Sequence, residues 1–170
     1  MDTLLAIQTR RSVRKYTDQA IDEEKLDAVL RAGMASPTAG NSQSWRFVVV
    51  DDKKLLATIA SLSPYATMAA AAPMAILLCA DLEAEMYPGF WVQDCAAAMQ
   101  NMLLAAHALG LGAVWCGIHP DAEREKAFAQ AFNLPSHVNA FGLMVMGYPA
   151  EAPSAADRFD MGKVYHNRHK

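Results

Sequence analysis

The sequence predicts one domain of mixed α/β architecture, on three observations. Short β-branched, aromatic or wholly apolar runs at 45–50, 74–79, 112–116 and 140–146 have strand length. Helical patterns fall between them, and strands alternating with helices around a buried sheet make a mixed fold. One of those patterns, 91–109, is apolar on almost every side. At 170 residues the chain is long enough to bury one core without disulfides or a structural metal.

Taken in order, residues 2–10 carry Leu4, Leu5 and Ile7 behind an acidic start, enough for a short helix. Residues 22–32 form a clearer one. Asp22 is the candidate N-cap, Glu23 and Glu24 suit the positive end of the helix dipole, Leu26, Val29 and Leu30 share a face, and Gly33 closes the helix. Residues 36–44, SPTAGNSQS, are turn formers and read as a loop. Trp45–Val50 follows as a strand and 51–60 as a helix. The run 74–79, after Pro73, is too apolar to be exposed on either face. The helix at 91–109 ends at Gly110, and its shape implies burial all round. In a chain this small, that burial is reached most easily when a partner subunit covers one face. Residues 112–116 are a short strand, and 120–132 an amphipathic helix with Pro120 in its first turn. Residues 140–146 are another buried strand, and 148–170 a polar tail. The expected organisation is a domain over 1–150 and a tail over 151–170 packing on a dimer. These patterns leave strand order open.

Composition narrows the function classes. A net charge of −3 gives no global attraction to nucleic acid or an acidic membrane. Charged residues are 19%, below the usual figure of about 25%, as expected for a chain with a buried subunit interface. Cys79, Cys95 and Cys116 are widely spaced and odd in number, which suits a reducing, cytoplasmic setting. The first dozen residues lack the order of a secretory signal. Uncharged stretches at 55–80 and 95–119 are interrupted by Pro64 and Pro73, and by Gln100, Asn101 and His107, so they read as core and not as membrane spans.

Three segments carry possible chemistry. Arg10, Arg11, Ser12, Arg14 and Lys15 place four cations and a hydroxyl within six residues. Guanidinium forks bind phosphate in two-point fashion, although a solvated basic turn at a helix C-terminus has the same composition. In the 36–44 loop, small residues with Asn41 and Gln43 suit a flat heteroaromatic ligand, or simply connect a helix to a strand. GLGAVWCG at 110–117 has the wrong glycine spacing and position for a dinucleotide fingerprint. Its remaining use is exposed backbone around Cys116 and Gly117. His107 reads as a hydrogen-bonded core histidine.

In order, RRSVRKY at 10–16, SPTAGNSQSWRFVVV at 36–50 and QNMLLAAHALGLGAVWCG at 100–117 resemble the nitroreductase family of FMN enzymes, with APMAILLCAD and VMGYP as further likenesses. The resemblance implies an α+β three-layer sandwich, a central mostly antiparallel sheet flanked by helices, assembled as a homodimer with FMN at the interface. Arg10, Arg11 and Ser12 resemble the residues that hold the FMN phosphate and ribityl chain, and Arg14 the cation beside the ring. Pro37, Thr38 and Ala39, with Asn41 nearby, resemble the stretch that meets the flavin from the partner subunit. Cys116 and Gly117 match the backbone beside the ring, Tyr65 falls near a common ring contact, and Arg158 resembles a tail cation returning to the phosphate. The implied reaction is ping-pong: NAD(P)H reduces the flavin at N5, and an electron-poor acceptor such as a nitroaromatic or quinone takes the reducing equivalents at the same place. The flavin carries the chemistry, so no catalytic triad and no metal are expected. The alternatives are a flavoenzyme with a specialised reaction that does not use nicotinamide, and a flavin-binding dimer with little turnover. Ser44 stands where the family pattern often has proline, and 83–91 (EAEMYPGFW) is the candidate lid. Met86, Tyr87, Phe90 and Trp91 there either shape an acceptor pocket or pack the interface.

Overall fold

A computed structural model describes residues 1–154 and 156–169. Five helices and four strands are arranged in three layers. The helices are α1 (Thr3–Thr9), α2 (Glu23–Met34), α3 (Lys53–Leu62), α4 (Trp91–Ala108) and α5 (Ala122–Ala131); the strands are β1 (Trp45–Val50), β2 (Met74–Asp81), β3 (Gly112–Gly117) and β4 (Val138–Gly147). The sheet runs β1-β2-β4-β3 with every pair antiparallel. β2 and β4 are the inner strands, which explains why both are almost continuously apolar.

Alternation along β2 divides the core in two. Met74, Ile76, Leu78 and Ala80 face Val29 of α2 and Cys95, Met99 and Met102 of α4. Ala75, Leu77 and Cys79 face the other way, onto Leu56 and Ile59 of α3 and Phe128 of α5. The register shifts at Leu78/Cys79, whose partners are Gly142 and Ala140, so Phe141 is the extra residue of a bulge. The structure thus has the expected sandwich of helices about an antiparallel sheet.

Several elements depart from the sequence reading. Asp22 does occupy the N-cap position of α2 but makes no side-chain capping bond. Its carboxylate accepts instead from the Tyr148 hydroxyl at 2.7 Å. Helix α3 begins at Lys53, because the Asp52 carboxylate caps the amides of Lys54 and Leu55. Pro120 is not in the first turn of α5: it follows a cis peptide after His119, and Asp121 is the N-cap. β4 starts two residues earlier than expected. Trp91 is a core residue, packed edge-on to His119 and Phe141, and not part of a lid surface.

Helix α4 is not buried all round within the chain. Its inward stripe is covered by the sheet and α2, but Gln93, Gln100 and Ala108 are exposed and Ala97 and Leu104 half-buried. A helix has more faces than one sheet and one neighbouring helix can cover, so this stripe stays outside. Beyond β4, Tyr16 and Pro149 form an isolated bridge, and the tail carries exposed Phe159, Met161, Val164 and Tyr165. Among the described residues, no helix is long and apolar enough to cross a membrane.

Candidate cofactor-binding site

The site is built on the free edge of β3. After α1 ends, the chain turns to run alongside that strand: Ser12 bridges Ala113 in parallel, and the Val13 amide donates to the Ala113 carbonyl at 3.0 Å. This geometry depends on Gly112, because a Cβ there would stand 2.7 Å from Val13 Cγ1. The sequence 10–14 therefore becomes an extended ridge carrying arginines toward both ends of one edge strand.

At one end, Arg10, Arg11 and Arg158 line a groove of about 610 Å³ between α1 and the tail. Arg11 is tied down: NH1 donates to the Gln8 and Arg10 carbonyls, and NH2 to the Ala156 carbonyl at 2.9 Å. Its Nε is buried and has no hydrogen-bond partner among the described residues. Among the described residues, Arg10, Arg11, Arg14 and Arg158 form no ion pair with any carboxylate within 4.0 Å. Burial and the charges of Arg11 and Arg158 lower the Arg10 pKa from its ordinary value. Like charges gathered without counter-ions repel, and a bound anion relieves that repulsion.

Behind the ridge lies a cleft of about 350 Å³ between Arg10, Arg11, Val13, His107 and the 110–113 turn. His107 is half-buried, and its Nε2 is 2.8 Å from Thr9 Oγ1. The expected hydrogen-bonded histidine is therefore present, though at the margin of the core. Burial, then Arg10 and Arg11, pull its pKa below the ordinary imidazole value.

At the other end, Arg14, Tyr65, Trp115, Cys116 and Gly117 line an open groove of about 470 Å³. The Arg14 side chain is exposed here, while its amide donates to Glu151 Oε1 at 2.7 Å. Cys116 points inward and its thiol donates to the Tyr65 carbonyl at 3.1 Å. Burial pushes that thiol up to about 11, so it is not a thiolate nucleophile near neutral pH. What the strand offers the groove at this point is backbone and the glycine, as the sequence suggested.

The 36–44 loop stands apart. Residues 37–41 line none of these three grooves. The loop contains a single turn of 3-10 helix at Ala39–Asn41, and Gly40, Asn41 and Gln43 all have positive φ. Asp94, in the first turn of α4 and only 5% exposed, holds it by accepting from the Ala39 amide at 3.0 Å and from Ser42 Oγ. Gly40 packs against Met86 and Tyr87, where a Cβ would come within 2.5 Å of Met86 Sδ. Sequence reasoning missed Asp94 and also Arg124, whose guanidinium reaches the Gly117 carbonyl. An acidic residue inside an otherwise apolar helix was the one available signal for Asp94. Nothing comparable marked Arg124.

The geometry thus sets Arg10, Arg11 and Arg158 around a groove between α1 and the tail, and Arg14, Tyr65, Cys116 and Gly117 around a second groove at the end of β3, with Ser12 bridged to β3 between them; Pro37, Thr38, Ala39 and Asn41 lie elsewhere on the molecule. Comparison with known proteins identifies the family. The sequence profile of the Nitroreductase family matches residues 7–72 and 62–148. A Methanothermobacter thermautotrophicus protein, provisionally named an NADH dehydrogenase/NAD(P)H nitroreductase, is 47% identical over 97% of this chain and 86% of its own. The chain belongs to the nitroreductase family. Within that family, an FMN-dependent nitroreductase of Clostridium difficile has the same fold, with a TM-score of 0.91 at 30% identity, covering 98% of this chain and 99% of the other. A provisionally named nitroreductase of Desulfovibrio desulfuricans, solved in complex with FMN, superposes with a TM-score of 0.86 at 32% identity over 100% of this chain and 99% of its own.

Whether these residues fit the group that the family implies is testable on charge. A phosphate needs cations that are not already neutralised, and a planar ring needs a flat, open wall. The unpaired Arg10, Arg11 and Arg158 supply the first, and the β3 edge at Cys116 and Gly117 the second. The residues present fit a phosphorylated flavin.

Proposed function

We propose that this nitroreductase-family chain is an FMN-dependent oxidoreductase that takes reducing equivalents from NAD(P)H and passes them to an electron-poor small molecule. The observation that carries the reading is the set of arginines without counter-ions along the edge of β3. The names of family members support it: FMN-dependent nitroreductase for the Clostridium difficile structure, and NAD(P)H-linked FMN reductase for a Bacillus subtilis relative 26% identical over 97% of this chain.

In this reading Arg10, Arg11 and Arg158 hold the phosphate and Ser12 the ribityl chain. Arg14 favours negative charge at the adjoining edge of the ring, and Cys116, Gly117 and Tyr65 form its wall. FMN, when bound, supplies the redox chemistry, exchanging two electrons with donor and acceptor. The chain's part is to bind, orient and bias charge, which is why the groove contains no nucleophile. Donor and acceptor, a nitroaromatic or quinone, use the same open groove in turn.

The protein acts as a homodimer, with 151–170 packing on the dimer and Pro37, Thr38, Ala39 and Asn41 serving the site of the partner subunit. Three features support this: the uncovered stripe of α4, exposed Leu4, Leu5 and Ile7 on α1, and the exposed apolar side chains of the tail. The three free thiols accord with a reducing cytoplasm.

Visible absorbance of the purified protein, followed by anaerobic NADH and then NADPH, tests the function. A flavin spectrum that bleaches is expected. A colourless protein that refuses added FMN overturns the reading, and a bound flavin that neither nucleotide reduces removes the nicotinamide half of it. Sedimentation at micromolar concentration should give a dimer, and a well-folded monomer would remove the assembly.

A further inference from the structure

Two walls of the groove over β3 come from separate parts of the chain, and one side chain outside the groove touches both. Arg124, in the first turn of α5, donates from NH1 to the Gly117 carbonyl at 2.9 Å, and its guanidinium lies 5.3 Å from the centre of the Tyr65 ring. NH2 donates to Asp121 Oδ2 at 2.6 Å. Asp121 is itself fixed, because its Oδ1 accepts the Arg124 amide as the N-cap of α5. The guanidinium is therefore anchored from its own helix and spans Gly117, at the end of β3, and Tyr65, in the segment between α3 and β2. Only 20% of the Arg124 side chain is exposed.

We propose that Arg124 is a positioning residue for the ring-binding groove, setting the Gly117 carbonyl and the Tyr65 ring in the arrangement against which a planar ligand lies. The proposal rests on the FMN reading above. Its physical basis is that Arg124 bonds the Gly117 carbonyl at the last residue of β3, and that Tyr65 is 64% exposed and has no hydrogen bond from its hydroxyl among the described residues. Without Arg124, the Gly117 carbonyl loses its guanidinium donor and the Tyr65 ring its covering cation, while the strand stays paired with β4 and the phosphate cations at the far end of the ridge are untouched. Loss of the guanidinium should therefore affect ring placement and leave phosphate recognition intact. Lysine does not replace it, because an ammonium is a point donor that cannot hold a carbonyl and a carboxylate in one plane while covering an aromatic face.

The experiment measures FMN affinity by fluorescence quenching and the visible circular dichroism of the bound flavin, for the wild type, Arg124→Gln, Arg124→Lys and Asp121→Asn. Asparagine keeps the N-cap of α5 but removes the carboxylate partner of Arg124, so it separates helix capping from positioning. The expected result is an FMN affinity lowered about tenfold in Arg124→Gln, equal to about 1.4 kcal/mol, with an altered flavin dichroism and an unchanged affinity for inorganic phosphate. Arg124→Lys should recover only part of this, and Asp121→Asn should show the same dichroic change to a smaller degree. In a Tyr65→Leu background the Arg124→Gln effect should shrink, since one of its two targets is gone. Wild-type affinity and dichroism in Arg124→Gln overturn the proposal while leaving the FMN reading in place. Should Arg124→Gln not fold, unaltered dichroism in Asp121→Asn overturns it. A wild-type protein that binds no FMN overturns the proposal and the reading together.

Discussion

The ridge at 10–14 and the loop at 36–44 are two polar stretches, and they handle their polar groups in opposite ways. Along the ridge the Val13 amide is satisfied by β3 and the Arg14 amide by Glu151, while the arginine side chains form no ion pair within 4.0 Å among the described residues. In the loop the polar groups bond within the chain: Thr38 Oγ1 accepts from the Gln43 amide, Asn41 Oδ1 from the Gln43 side-chain amide, and buried Asp94 from the Ala39 amide and Ser42 Oγ. The first region has recognition capacity left over; the second spends most of its own on holding three residues at positive φ. A cluster of unneutralised charge marks a place for a ligand, whereas an internally bonded loop marks a shape that another surface is to meet.

The largest effect that would break this contrast is on the ridge. Arg10→Ala should weaken FMN retention by about 1.5–3 kcal/mol, the range for hydrogen bonds to charged groups. Equilibrium dialysis gives the number directly. Unchanged affinity would mean that the arginines are a solvated surface after all.

The next effect belongs to the loop and is one of stability. Asp94→Ala removes the acceptor for the Ala39 amide and should lower unfolding free energy by about 1–3 kcal/mol, read from urea denaturation of the apoprotein. Asp94→Asn, which keeps an acceptor, should recover much of it. If alanine is neutral there, the loop holds its shape without the carboxylate, and the contrast with the ridge loses one of its sides.

A smaller effect connects the ridge to proton binding. His107 is held below its ordinary value by burial and by Arg10 and Arg11. As the pH falls from about 6.5, the ordinary imidazole value, the unfolded chain takes up this proton before the folded one does. Stability is therefore lost as the pH falls through that window toward the lower folded value. Arg10→Ala should move the His107 midpoint up and reduce the loss. A proton NMR titration of the ring follows the shift, and a midpoint unmoved by the substitution would show that burial and Arg11 set it without Arg10.

Much of this was legible in the sequence because it is local. The run WRFVVV has strand composition and is a strand, and the short helix read over 2–10 is present, with Asp2 as its N-cap and not in its first turn. The arginines within 10–14 offered an anion site by type and spacing, with a solvated basic turn as the alternative. Local signals erred where two neighbouring residues competed for one role, as Asp51 and Asp52 did at α3, or Pro120 and Asp121 at α5. Composition alone suggested that α4 is covered on every side, but composition does not say which chain supplies the cover.

What the sequence by itself determined is therefore the set of elements, the inner character of β2 and β4, and the gathering of cations at 10–15. These follow from side-chain type and from periods of 2 and 3.6, both readable over a few residues. The tertiary structure alone decided the order β1-β2-β4-β3, the meeting of Asp94 with Ala39 across 55 positions, the closure of Tyr65 onto Cys116 across 51, and the placing of the 37–41 loop away from the ridge. Such contacts depend on how whole layers stack, and no local pattern encodes which distant backbone group a buried carboxylate or guanidinium will find.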